Sequence, residues 1–220
     1  MKVLAMDLGL TDTGWVLGDA GGPTDWQHGR IRTPARRKGQ DDPAWNLARF
    51  SVFGRIASNL IWQTRPDVVA YEVTKHAFGS MGGRRSTKGI EYRAGYALGR
   101  AAGWMDGVAY LTAAYGITPP ATVEISSFEA KLRTTGNAGA SKDAVRVYLE
   151  DTYACDLKAW SEAEVDALAV LTAFHRNLSD PDLPGGVAPS SPTLKLPPAL
   201  IEGQAPSPLL TRARTRARPR

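Results

Sequence analysis

Two short apolar runs, far apart in the chain, each end on a carboxylate. KVLAM (2–6) runs into Asp7, and DVVAYE (67–72) closes on Glu72. Short runs of this kind, bounded by turn residues such as Gly9, Gly14 and Pro66, read as buried strands. If the two strands are neighbours in one sheet, both carboxylates meet at its carboxyl edge, where open α/β sheets carry their sites. Whatever lies between them must bring the chain back to that edge.

The intervening pattern does so. TGWVLGD (13–19) reads as a second strand, and WQHGRIR (26–32), after Gly21, Gly22 and Pro23, as a third at an edge, so the chain opens as a β-meander. Over 43–64, Leu47, Phe50, Phe53, Ile56, Leu60 and Ile61 recur at three- and four-residue spacing, a helical stripe stopped by Pro66. A Gly-rich basic loop follows over about 73–88, then a long helix over 89–115 with small residues at Ala94, Gly95, Gly99 and Gly103. TVEIS (122–126) is a further strand, 133–140 a loop, and two helices close the pattern at 141–153, capped by Ser141, and 162–177. This order predicts an α/β fold with a mixed five-stranded sheet flanked by helices. The first three strands are antiparallel, and later ones are added through crossover helices.

The globular domain is expected over 1–178. From Ser179 onward proline is dense and no apolar period survives, so 179–220 is expected to be a disordered Pro-rich, Arg-rich tail. The net charge of +5 is matched in number by five arginines at the very end of this tail. The last nine residues hold Arg212, Arg214, Arg216, Arg218 and Arg220, and without them 22 basic residues balance 22 acidic ones. Such a tail suits a polyanion. Cys155 is the single cysteine, which excludes an intrachain disulfide and cysteine-rich zinc sites and fits a reducing, cytoplasmic setting. No apolar run reaches the ~18 residues of a membrane span, and MKVLAMDLGL lacks the pattern of a signal peptide.

A third acid, Asp166, lies in SEAEVDALAV beside the core stripe Val165, Leu168, Ala169 and Thr172. A carboxylate bordering buried surface is costly unless it is paired, and a cation would resolve that cost. Carboxylates without His or Cys nearby in sequence are hard oxygen donors, suited to Mg²⁺ or Mn²⁺ more than to Zn²⁺. Taken singly, each acid could be a turn residue, a cap or a complement to a helix dipole. His28 and His175 read as surface or packing residues.

The ordered set resembles a known pattern. MDLGLTDTGWVL, PDVVAYE, AGYALGRAAG, SKDAV and EVDALAV are similar, in order and over roughly 2–176, to motifs of the RuvC-type Holliday junction resolvases, a branch of the RNase H-like superfamily. The resemblance implies an Mg²⁺-dependent endonuclease, with Mn²⁺ as a substitute, that acts on branched DNA as a homodimer. Its catalytic, metal-binding acids carry over to Asp7, Glu72 and Asp166. The fourth acid of typical members lies three residues before the last, where this chain has Ala163. Glu162, four residues before Asp166, shares its helix face and is the favoured fourth ligand. Glu164 lies on the other side, in a Ser161-x-x-Glu164 capping box. A site of three carboxylates and water is the remaining option.

Lys75, Arg84, Arg85 and Lys88 follow Glu72, Lys142 sits just after the Ser141 cap at a helix start, and Lys131 lies upstream of it. All six are expected to hold DNA phosphates. The resemblance also implies an aromatic wedge, for which Phe78 is the nearest residue to the usual position, now occupied by Lys75. Trp104 and Met105 are candidates for a dimer interface or for the core. Two other functions fit parts of the pattern. A junction-binding module that has lost cleavage fits Ala163. A fragment of an actin-like or sugar-kinase ATP-binding fold fits Asp7-x-Gly9 followed by Thr13-Gly14, although that fold needs a second subdomain.

Overall fold

The computed structural model describes residues 1–9, 11–19, 26–34, 42–73, 103, 105, 107–108 and 118–179. The elements are β1 (Lys2–Asp7), β2 (Asp12–Asp19), β3 (Gln27–Arg32), α1 (Asp42–Thr64), β4 (Val68–Val73), β5 (Ala121–Ser126), α2 (Ser127–Thr135), α3 (Lys142–Tyr153) and α4 (Glu162–Ser179). Residues 103, 105, 107 and 108 are helical, within the predicted 89–115 segment. Residues 74–88 of the predicted basic loop, Trp104 and the predicted tail beyond Ser179 lie outside the described residues.

The five strands form one mixed sheet in the order β3-β2-β1-β4-β5. β1 pairs antiparallel with β2, and β2 with β3; β4 adds parallel to β1, and β5 parallel to β4. This is the mixed α/β sheet that the strand pattern predicts, with β3 at an edge.

Alternation along the strands divides the core in two. Val3, Ala5, Val16, Val68, Ala70 and Ile125 face one side, against Val165, Leu168 and Leu171 of α4. Leu4, Met6, Leu17, Ile31, Val69 and Tyr71 face the other, against Phe50, Phe53, Ala57 and Ile61 of α1 together with Met105 and Val108. Side chains of a strand point alternately up and down, so parity decides the face of every residue. Met105, a helical residue, packs into the second of these clusters and is 1% exposed.

α4 is the central helix. Val165, the run Ala167–Leu171, Ala173 and Phe174 are all buried. It is apolar on nearly every side because the sheet covers one flank while α2 and α3 cover others. Thr172, a buried polar residue of this helix, donates to Leu168 O at 2.8 Å and lies 3.0 Å from the Tyr153 hydroxyl. Truncating Leu168, which is fully buried, to Ala costs about 2–5 kcal/mol.

One element departs from the sequence reading. The 133–140 segment is not wholly loop, because α2 runs through Thr135 before Gly136 ends it in the left-handed region at φ 77°. Its start carries a local signature: Ser126 caps the helix by accepting from Glu129 N. The Ser-x-x-Glu spacing was present in the sequence but sat directly behind the β-branched run of β5.

Candidate active site

Parity places the first two acids. Asp7 is odd-numbered like Val3 and Ala5, and Glu72 even-numbered like Val68 and Ala70, so both belong to the α4 face of the sheet. The β1–β4 register pairs Ala5 with Ala70 and Met6 with Tyr71. Extended by one residue, it sets Asp7 beside Glu72 on strands about 5 Å apart.

α4 supplies the third acid through an unusually close approach. Gly14, paired with Asp7 across β1 and β2, lies against the first turn of α4. A Cβ at Gly14 would stand 1.9 Å from Ala163 O and 2.6 Å from Glu164 N, both rigid backbone atoms. Glycine is what lets the helix start settle onto the strand and bring Asp166 over Asp7. Glu164 then locks that start. Its carboxylate accepts from Ser161 N at 2.8 Å and from Ser161 Oγ at 2.6 Å, while Glu164 N donates back to Ser161 Oγ at 3.3 Å. This is the capping box read from the sequence. The other Glu164 oxygen lies 2.8 Å from His28 Nδ1, and the imidazole stacks on Trp160 at 3.8 Å. His28 is thus a packing residue that ties edge strand β3 to α4.

The three acids feel one another as charges. Burial, reinforced by Glu72 and Asp166, pushes the Asp7 carboxyl from 3.8 up to about 8, against a smaller lowering by Lys142. Burial also raises Glu72, a hydrogen bond from Ser127 opposes it, Asp166 raises it further, and Lys142 and Lys131 lower it. Asp12, at the start of β2, is instead held below the ordinary range by its hydrogen bond with Arg30.

Lys142 is the cation of this cluster. At the first position of α3 its ammonium lies 2.7 Å from Asp166 Oδ2 and 3.3 Å from Glu162 Oε2. Burial lowers its pKa, and the two carboxylates more than reverse that. Glu162 and Asp166, one helical turn apart, reach the same ammonium, as residues on one helix face must. Glu162 is the outer of the two, its side chain 75% exposed against 23% for Asp166.

The structure therefore brings together Asp7, Glu72, Asp166 and Lys142, with Glu162 and Lys131 at the margin. Lys75, Arg84, Arg85, Lys88 and Phe78 lie outside the described residues. Arg133, two residues after Lys131, is buried, 3% exposed. Two neighbours escaped the sequence reading. Ser127 donates its hydroxyl hydrogen bond to Glu72 Oε1, and Phe128 beside it is 61% exposed.

The donor chemistry fits a hard divalent cation: oxygen ligands only, partly buried, with more negative charge than one ammonium neutralises. Among the described residues, however, no three His, Cys, Asp or Glu side chains close into a preformed cage. In this conformation Lys142 engages Asp166, and cation binding requires the side chains to draw in.

No family model and no curated protein matches the sequence. Solved structures do. Thermus thermophilus RuvC is similar at 15% identity and a TM-score of 0.57, over 81% of this chain and 95% of that one. T. thermophilus RuvC in complex with Holliday junction substrate is similar at 16% identity and a TM-score of 0.57, over 80% and 95%. The chain has the RNase H-like fold of RuvC.

Proposed function

We propose that this protein is a divalent-metal-dependent endonuclease that cuts branched DNA, four-way junctions foremost. The observation that carries the reading is the Asp7–Glu72–Asp166 cluster on the α4 face, where burial and mutual repulsion leave an unmet need for positive charge. A fold accommodates many chemistries, so the site and not the sheet is the argument. The junction-bound state of one structural neighbour supports the choice of substrate.

Asp7, Glu72 and Asp166 would hold the metal, Mg²⁺ or Mn²⁺, with Glu162 as the outer fourth carboxylate. When bound, two such ions activate a water and stabilise the leaving oxygen of a phosphodiester. Lys142, released from Asp166, would be free to pair with a phosphate at the start of α3, and Lys131 stands ready one element away. Lys75, Arg84, Arg85 and Lys88 extend this phosphate contact in the proposal. Phe128, exposed on the first turn of α2, offers a stacking surface for a base unpaired at the branch point. Two copies of the chain would cut the opposing strands in turn. Among the described residues no helix is long and apolar enough to cross a membrane. A cytoplasmic setting accords with the single cysteine.

The test is a synthetic four-way junction with Mg²⁺. The nuclease nicks it and Asp7→Asn does not. A gel shift without products in the wild type would point to a binding module, in line with Ala163 at the usual position of the fourth acid. ATP hydrolysis would point to a kinase-like fragment.

A further inference from the structure

Glu72 has a hydrogen-bond partner that no motif announced. β5 runs parallel to β4 with Glu72 opposite Ile125 and Val73 opposite Ser126, and the chain then turns at once into α2. Ser127, the first residue of that helix, therefore comes level with the Glu72 side chain and donates its hydroxyl to Oε1. The contact is not a by-product of capping. Ser126 is the N-cap, accepting from Glu129 N at 3.2 Å, so the helix start does not need Ser127 Oγ. Glu129 itself is drawn inward, where it accepts from Asn177 Nδ2 at 2.8 Å. The first turn of α2 is thus pinned independently on both sides, and the Ser127 hydroxyl is presented from a fixed backbone.

We propose that Ser127 is a positioning residue for Glu72: by engaging Oε1 it orients the carboxylate so that Oε2 is the oxygen left for a divalent cation. A carboxylate on a flexible two-carbon stem would otherwise rotate freely between orientations. Hydrogen bonds to metal-binding carboxylates fix orientation and charge, and their loss costs roughly 10- to 100-fold in metal affinity. This inference rests on the metal-site reading above but concerns a residue outside the carboxylate set.

The experiment is Mn²⁺ titration of the full chain by calorimetry and electron paramagnetic resonance, without DNA, on wild type, Ser127→Ala and Ser127→Thr. The expected result is affinity weakened roughly 10- to 100-fold in Ser127→Ala and restored by Ser127→Thr. Thermal unfolding of the metal-free proteins should be unchanged. Equal Mn²⁺ affinity in wild type and Ser127→Ala overturns the assignment while leaving the metal site intact. Failure of Ser127→Thr to recover binding in a folded protein also overturns it, since the hydroxyl would not be the cause. No Mn²⁺ binding in the wild type overturns the metal-site reading, and this inference with it.

Discussion

The Lys142 ammonium sits 2.7 Å from an oxygen of Asp166, so a side chain of the protein already does part of what a metal cation would do. The two compete for the same oxygen. Removing the ammonium makes the cluster more negative, worth about tenfold in divalent affinity for a charge at this range in a solvated site. Lys142→Gln should bind Mn²⁺ more tightly in calorimetry yet cleave junctions more slowly, because a phosphate contact is lost. Weaker Mn²⁺ binding would show that the ammonium organises the site instead of competing for it.

Asp7 sets a pH signature for the metal-free protein. Its carboxyl ionises near 4 in the unfolded chain and near 8 in the fold. Between those values the native state holds a proton that the unfolded state has released. Stability therefore falls as pH rises from about 4 to about 8 and levels off above. The upper bound is on the order of 5 kcal/mol, shared with Glu72, which shifts in the same direction. Urea unfolding at pH 5 and pH 8 in a chelator should show this loss, and Asp7→Asn should flatten it. Added Mg²⁺ should reverse the loss at pH 8 by about 2.7 kcal/mol at a hundred times its Kd.

Gly14 is the contact through which α4 reaches the sheet. In Gly14→Ala the new methyl meets Ala163 O at 1.9 Å, and neither backbone can yield cheaply. The expected cost is about 3 kcal/mol, at the upper end for overpacking. Because the displaced turn carries Glu162 and leads to Asp166, Mn²⁺ affinity should drop as well. Denaturant melts and metal titration on the same sample would separate this from a core mutation such as Leu168→Ala, which lowers stability without acting on α4's first turn.

Phe128 contributes little to folding, since it is 61% exposed. Phe128→Ala should leave the unfolding midpoint in place. It should weaken binding to a four-way junction by roughly 5- to 100-fold, the range of one lost base–aromatic stack. Affinity for intact duplex of the same length should not change. An equal loss on both DNAs would rule out stacking on an unpaired base.

The sheet and the paired strand-end acids were legible because strand side chains alternate and a run such as DVVAYE exposes its own parity. The Ser161–Glu164 capping box was legible for a similar reason, since both partners lie within one helical turn. What escaped reading depends on partners distant in sequence. Nothing local to Gly14 indicates that Ala163 will press against it. Lys142 resembles a phosphate-binding helix start until the structure sets it against Asp166. Ser127 and the start of α2 were hidden for another reason: TVEIS reads as strand, and Phe128 continued that impression past the Ser126 cap.

α4 is at once the plug of one half of the core and the carrier of Asp166. A chain interrupted before this helix, by a stalled ribosome or a protease, loses its hydrophobic keystone and its last acid in the same stroke. Under the proposed function, truncated products would be unable to nick DNA, because the reagent is not assembled until the fold is closed.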